Sequence, residues 1–180
     1  MTKTSERLNR LAESATLAMA RMSRELQAKG INVIALSLGE PDFETPDFIK
    51  EAGKKAIDDN FSHYTPVSGL PELRHAIAAK FKRDNNLEFT PDQIITSTGA
   101  KQSIANVCLS LLNPEDEVLL PCPYWVSYAE IIKLAEAKPI KVSSSIKTDF
   151  KVSAKELESK ITSKTKMLMF SSPCNPSGTV

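Results

Sequence analysis

Cysteine is scarce in this sequence, and its spacing fits neither a disulfide framework nor a zinc site. The 180 residues include 3 cysteines, and an odd number of widely separated cysteines favours neither regular pairing nor tetrahedral metal binding. We expect Cys108, Cys122 and Cys174 to be reduced side chains that pack as small apolar groups. The sequence therefore predicts no metal site.

An excess of charge of either sign is also lacking. There are 23 Lys and Arg residues against 22 Asp and Glu residues, a formal net charge of +1, which gives no reason to expect a nucleic acid or an anionic membrane as a partner. No apolar run approaches the length that a membrane helix needs, and residues 1–14 lack the apolar stretch of a secretory signal. The expected location is the cytoplasm.

What the sequence does contain is an alternation of helical and strand-like patterns. Apolar residues recur at helical spacing in segments 14–29, 45–60, 71–81, 100–112, 125–135 and 153–160. Short strand-like runs occupy 32–37, 93–97, 117–120, 139–143 and 166–170. Such an alternation predicts an α/β fold with a parallel sheet and right-handed crossovers, and the length and apolar content suffice for one globular domain.

Ligands of parallel α/β sheets bind where strands end and lead into helices, and the segment STGAKQS occupies such a position. A predicted strand runs into Gly99, and the next helix begins at Ala100 or Lys101. The unpaired amide groups and the positive dipole end of that helix suit a phosphate. The segment matches neither the GxGxxG nor the GxxxxGK[ST] pattern, which disfavours a generic nucleotide-binding domain.

Two further segments, LPCPYWVSY and SSPCNPSGT, also follow predicted strands. Trp125 is the single tryptophan, and at a strand end it can either stack on a flat heterocycle or close the edge of the core. Asn175 offers both a donor and an acceptor on a short side chain. Taken alone, the sequence NPSG indicates only a turn.

Together the segments resemble one family, the class I aminotransferases of fold type I that use pyridoxal 5′-phosphate (PLP), and within it the aspartate aminotransferase subgroup common in bacteria. SLGEPDFETP, YTPVSGLPELRHAI, TGAKQSI, PYWVSY and SPCNPSGT stand in the order and at the spacing of that family. The resemblance implies that residues 36–180 form the first part of a PLP-binding large domain, with a three-layer α/β/α parallel sheet that is incomplete. Residues 1–35 would be an N-terminal arm and helix that contributes to the small domain and the dimer.

The resemblance also implies roles for individual residues. Gly99, Ala100 and Lys101 match the turn at the cofactor phosphate, and Trp125 matches the aromatic residue that stacks on the pyridine ring. Asn175 matches the asparagine that binds the cofactor ring oxygen and the substrate carboxylate, and Gly39 matches a glycine that lines the carboxylate pocket. Tyr64 matches a tyrosine that reaches the phosphate of the neighbouring subunit in a homodimer. The family often has cis peptides before the prolines that match Pro123 and Pro176.

Amino acids and 2-oxo acids are the substrates that the resemblance implies. Lys101 and Thr16 match positions associated with the side-chain carboxylate of acidic substrates, which points to aspartate or glutamate. A lysine beside a helix N-terminus is disfavoured by the dipole, which supports a ligand-directed role for Lys101. Aminotransferases of other specificity (aromatic, alanine, prephenate) remain an alternative.

The resemblance places the family's Schiff-base lysine beyond Val180, together with the rest of the large domain and the C-terminal small domain. Lys164 and Lys166 flank the start of a predicted strand, at the edge opposite the ligand edge. We therefore expect no catalytic residue within the 180-residue polypeptide, no covalently bound PLP and no activity of this polypeptide alone. A non-catalytic half-domain that acts by dimerisation is the second alternative.

Overall fold

The computed structural model describes residues 3–36 and 38–180, and it contains a parallel sheet. Strands β1 (Glu117–Pro121), β2 (Lys138–Val142) and β3 (Thr165–Leu168) are arranged in the order β2-β1-β3, and both pairings are parallel. β1 is central, and its Val118 and Leu120 are fully buried. A strand that is covered on both faces consists of an almost uninterrupted apolar run, which EVLLP provides.

The helices are α1 (Glu6–Asn9), α2 (Ala15–Ala28), α3 (Asp47–Asp58), α4 (Pro71–Asn85), α5 (Ala100–Leu111), α6 (Ser127–Leu134) and α7 (Ala154–Glu158), with short 3₁₀ turns at Pro91–Gln93 and Ile146–Thr148. The largest apolar cluster joins β1 to α6, the crossover helix between β1 and β2, and to Cys108 of α5. The α/β class and the parallel sheet are thus as predicted.

The chain divides into two compact units. The first contains Met1–Leu38 and Ile104–Val180, and the second contains Gly39–Ser103. The first unit holds the sheet and the apolar cluster. In the second, α4 begins at Pro71, a residue whose fixed φ suits the first helical position. Arg74 of α4 donates to the carbonyl oxygen of Pro91 at 3.0 Å, which ties the helix to the 3₁₀ turn.

Two of the predicted strands are wrong. Residues 32–36 and Leu38 have no regular structure, and Ser37 lies outside the described residues. Ile34 and Leu36 are 83% and 92% exposed, so the apolar run has no strand beside it to cover it. Segment 93–97 also joins no sheet. It leaves the 3₁₀ turn in an extended conformation. Its backbone makes one hydrogen bond to the segment before α4, from Thr96 N–H to Ser68 O at 3.0 Å.

Candidate functional site

Two loops meet at the carboxyl edge of the sheet in the first unit. The loop that follows β1 runs through Pro123 to Trp125, and the loop that follows β3 contains Cys174 and Asn175. Cys174 Sγ donates to the carbonyl oxygen of Pro123 at 3.4 Å. Because the strands are parallel, their carboxyl ends lie at one edge, and this contact joins the two loops that the sequence singled out. The start of β3, with Lys164 and Lys166, is at the opposite edge, as predicted.

Trp125 is half-buried and stands just before α6. Its ring meets that of Tyr128 edge-on, with centroids 5.5 Å apart and an interplanar angle of 90°. The indole also packs against the apolar cluster. The tryptophan therefore closes the edge of the core while part of its surface stays accessible.

The Asn175 loop is closed by its own main chain. Cys174 N–H donates to Thr179 O at 2.8 Å, and Gly178 N–H donates to Cys174 O at 2.7 Å. Asn175 is exposed, and its backbone N–H donates to Ser171 Oγ at 3.3 Å. Within the described part of the chain its side-chain amide makes no hydrogen bond. The loop thus presents an uncommitted donor and acceptor.

The cis peptide bonds predicted before Pro123 and Pro176 are confirmed. The structure has cis bonds at Cys122–Pro123 and Asn175–Pro176, and it has a further one at Ser172–Pro173 that the sequence did not indicate.

The Gly99 turn lies in the second unit. Gly99 has a φ of +86°, which favours glycine, and a Cβ built there would meet no atom within 4 Å. Helix α5 begins at Ala100, and the amides of Gln102 and Ser103 in its first turn donate to Gly99 O. Lys101 is exposed on this first turn. The space beside the Gly99 Cα is therefore open, whereas its N–H already donates to Ser97 O at 2.8 Å.

The remaining predicted residues are divided between the units. Gly39 and Tyr64 belong to the second unit, where Tyr64 is fully exposed and the space around Gly39 is open. Thr16 belongs to the first and is half-buried on α2. The chain before α2 contacts α6, since Ala12 N–H donates to Glu130 Oε2 at 2.9 Å. Thr16 thus follows a segment that is fixed to the helix after Trp125.

A separate cavity of about 340 Å³ opens beside the carboxyl ends of β1 and β3. Apolar side chains make up much of its wall, including Tyr124, Phe150 and Phe170, and Lys151 adds a charge. Neither Trp125 nor Asn175 belongs to the lining. The cavity was not predicted, because the residues that line it come from three separate stretches of sequence, 121–124, 150–157 and 168–180.

The three cysteines are free. Burial raises the pKa of the Cys108 thiol. It also raises the pKa of Cys122, against the opposing effects of Lys141 and of a hydrogen bond with the Val142 backbone. Thiols with raised pKa values stay protonated at neutral pH and are poor nucleophiles. No group of three or more His, Cys, Asp or Glu side chains within 3–36 and 38–180 is placed to hold a metal ion.

None of the helices described is both long and apolar enough to cross a membrane.

Comparison with known proteins points to one family. Residues 31–180 match the family model described as "Aminotransferase class I and II". A curated relative, the probable aspartate/prephenate aminotransferase of Rickettsia bellii, is 51% identical over 174 residues, which is 97% of this chain and 44% of the relative. The chain therefore spans less than half the length of that relative.

Solved structures share the fold. The aspartate aminotransferase of Rhizobium meliloti superposes with a TM-score of 0.94 at 37% identity, over 98% of this chain and 44% of its own. The aspartate aminotransferase of Thermus thermophilus with maleate gives a TM-score of 0.93 at 39% identity, over 98% of this chain and 46% of its own.

Proposed function

Because the chain belongs to the class I and II aminotransferase family, we propose that the protein transfers an amino group between L-aspartate or L-glutamate and a 2-oxo acid with PLP as cofactor. The hydrogen bond from Cys174 Sγ to Pro123 O carries the proposal. It brings the Trp125 loop and the Asn175 loop together at the edge of the sheet where α/β proteins bind ligands.

The donors in the structure suit an anionic, flat cofactor. The open space beside the Gly99 Cα and the positive dipole end of α5 suit the phosphate group. The half-buried indole of Trp125 suits an aromatic ring, and the uncommitted amide of Asn175 suits a ring oxygen. PLP, when bound, supplies the electron-withdrawing ring on which amino-group chemistry depends.

The proposed site gives each of these residues a role. Gly99 lets the main chain approach the phosphate closely, Ala100 binds the phosphate through its backbone N–H, and Trp125 orients the ring by stacking. Asn175 donates to the ring oxygen and to the substrate α-carboxylate, whose pocket Gly39 lines. Lys101 and Thr16 bind the side-chain carboxylate of the substrate.

A homodimer is part of the proposal. Tyr64 is fully exposed in the described chain, which supports a role on another molecule, and we propose that it reaches the phosphate bound by the neighbouring subunit. Residues 1–35 would contribute to the dimer, and residues 36–180 to the cofactor-binding domain.

The direct test compares transamination by residues 1–180 alone with transamination by a longer protein in which they are followed by the family's Schiff-base lysine. We expect oxaloacetate from aspartate and 2-oxoglutarate, stimulated by added PLP, with the longer protein only. A longer protein that turns over no amino acid with PLP present would contradict the proposed reaction, and turnover by residues 1–180 alone would contradict the need for that lysine.

Asn175→Ala, in a protein that also carries the family's Schiff-base lysine, tests the cofactor site. Loss of one hydrogen bond to a charged group costs about 2 kcal/mol, so we expect the affinity for PLP and kcat/KM to fall by roughly tenfold to a hundredfold. Quenching of tryptophan fluorescence and steady-state kinetics measure the two effects. The matched control is Asn106→Ala on the exposed surface of α5. Equal behaviour of the two variants would exclude Asn175 from the site.

Lys101→Ala, in a protein that also carries the family's Schiff-base lysine, tests which substrate is bound. We expect kcat/KM for aspartate to fall by roughly tenfold or more, because a charge-assisted hydrogen bond is lost, while kcat/KM for alanine changes much less. Lys101→Arg keeps the charge and should recover part of the aspartate activity. Equal losses for both amino acids would rule out a role of Lys101 in recognising the side-chain carboxylate.

Prephenate is a second candidate substrate. The Rickettsia bellii relative is named a probable aspartate/prephenate aminotransferase, and prephenate carries a second carboxylate that the same lysine can bind. Turnover of prephenate with aspartate as donor, impaired by Lys101→Ala, would support it.

A further inference from the structure

The side chain of Gln102 spans the Gly99 turn. Gln102 lies in the first turn of α5, and its Oε1 accepts a hydrogen bond from the backbone N–H of Thr98. Thr98 immediately precedes Gly99, so the glutamine reaches back from the helix across the glycine. Backbone donors at the start of a helix need such partners because the helix itself supplies none.

The two sides of Gly99 are held differently. On the helix side, backbone hydrogen bonds hold the carbonyl group of Gly99, because Gly99 O accepts from Gln102 N–H at 3.1 Å and from Ser103 N–H at 3.3 Å. On the other side, Thr98 N–H has no acceptor other than Gln102 among the described residues. Gln102 is thus the one described side chain that fixes the residue entering the turn.

Fixing that residue matters because glycine has a wide choice of backbone conformations. Gly99 holds a φ of +86°, and the space where a Cβ would stand is open. The N–H of Gly99 donates to Ser97 O at 2.8 Å, and Gln102 adds a side-chain restraint on Thr98, the residue between those two. A ligand that binds the amides around Gly99 gains affinity when those amides are already in place, since the cost of ordering them is not part of binding.

We propose that Gln102 is a positioning residue for the phosphate group of PLP, which it holds indirectly by fixing Thr98 and hence the Gly99 turn. This inference rests on the proposed function. It adds Gln102, a residue that contacts the Gly99 turn and not the reacting atoms. We expect the effect of Gln102 to be specific to the phosphate, because the phosphate is the part of the cofactor that the proposed function assigns to the Gly99 turn.

The test compares PLP with pyridoxal, which lacks the phosphate. Gln102→Met keeps the length of the side chain and removes the acceptor for Thr98 N–H. Gln27→Met, on the exposed surface of α2, is the control for the same exchange. The single tryptophan, Trp125, reports binding of either compound to the purified protein by fluorescence quenching.

We expect Gln102→Met to weaken PLP about tenfold, as for the loss of one hydrogen bond, and to leave the affinity for pyridoxal unchanged. Gln27→Met should change neither affinity. Unchanged affinity for PLP in Gln102→Met, or equal weakening of both compounds, would overturn the inference. A wild-type protein that binds PLP no better than pyridoxal would instead overturn the phosphate site of the proposed function, which separates the two failures.

Discussion

Replacing Gly69 by alanine is expected to lower the free energy of unfolding by about 3 kcal/mol, from backbone strain and overpacking together. Gly69 has a φ of +102°, and a Cβ there would lie 2.0 Å from Thr96 Oγ1, 2.9 Å from its Cγ2 and 3.0 Å from its Cβ. Thr96 cannot rotate away from all three contacts, since its Cβ is fixed to the backbone. Its N–H also bonds Ser68 O, so the two segments cannot separate without losing that bond.

Urea unfolding of the purified protein measures the effect as a shift in the midpoint at constant slope. Gly53→Ala is the matched control, because Gly53 lies inside α3 and a Cβ there meets no atom within 4 Å. In a helix interior this exchange should stabilise by roughly 0.5–1 kcal/mol. The two substitutions are therefore expected to have opposite signs, and equal signs would show that the Gly69–Thr96 contact is not tight.

A second substitution separates the two causes. Thr96→Ala removes Oγ1 and Cγ2. When it is combined with Gly69→Ala, we expect it to restore the part of the unfolding free energy that the clash with Thr96 removes. The part that comes from the positive φ should remain. If Thr96→Ala gave no recovery, the whole effect would lie in the backbone conformation.

Replacing Leu120 by alanine is expected to cost about 3 kcal/mol or more, within the range for large-to-small changes in a core. Leu120 is completely buried on the central strand β1, and its cluster includes Val118 and the fully buried Ile132 of α6. A backbone with strands on both sides cannot collapse into the space left by the side chain, so the cavity persists.

The control for Leu120 is Leu111→Ala at the end of α5, where the side chain is 61% exposed. Leucine and alanine have similar helix propensities, so this change should have little effect on unfolding by urea. Similar midpoints for the two variants would show that the β1–α6 cluster does not stabilise the fold. A large difference would identify that cluster as the main core.

The sequence indicated β1, β2 and β3 to within two residues because each is a short apolar or β-branched run between helical segments. It indicated a strand at 32–37 equally well, and there the prediction is wrong. The difference lies in the neighbours: Leu120 is covered by β2, β3 and α6, whereas Leu36 is 92% exposed. A local pattern records the preference of a segment, but pairing depends on residues far away in the sequence.

In the candidate site, too, the sequence predicted the residues but not the contacts between them. Gly99, Trp125 and Asn175 were found because their residue types and order match a known family. The contact of Cys174 with Pro123 and that of Gln102 with Thr98 were not predicted. The first joins residues 51 positions apart. The second lies within the recognised segment TGAKQSI, yet a glutamine on the first turn of a helix points as often to solvent as to the backbone.

The outer edge of β2 bears on whether molecules of this protein aggregate. The strand carries exposed Lys138 and Lys141, with Pro139 between them. If a strand of another molecule paired with this edge, Pro139 could not donate a backbone hydrogen bond to it. The charged groups of Lys138 and Lys141 would also lose part of their hydration, which is unfavourable. Edge strands with proline and lysine resist such addition, so this side of the sheet is protected against edge-to-edge polymerisation by residues that take no part in the site.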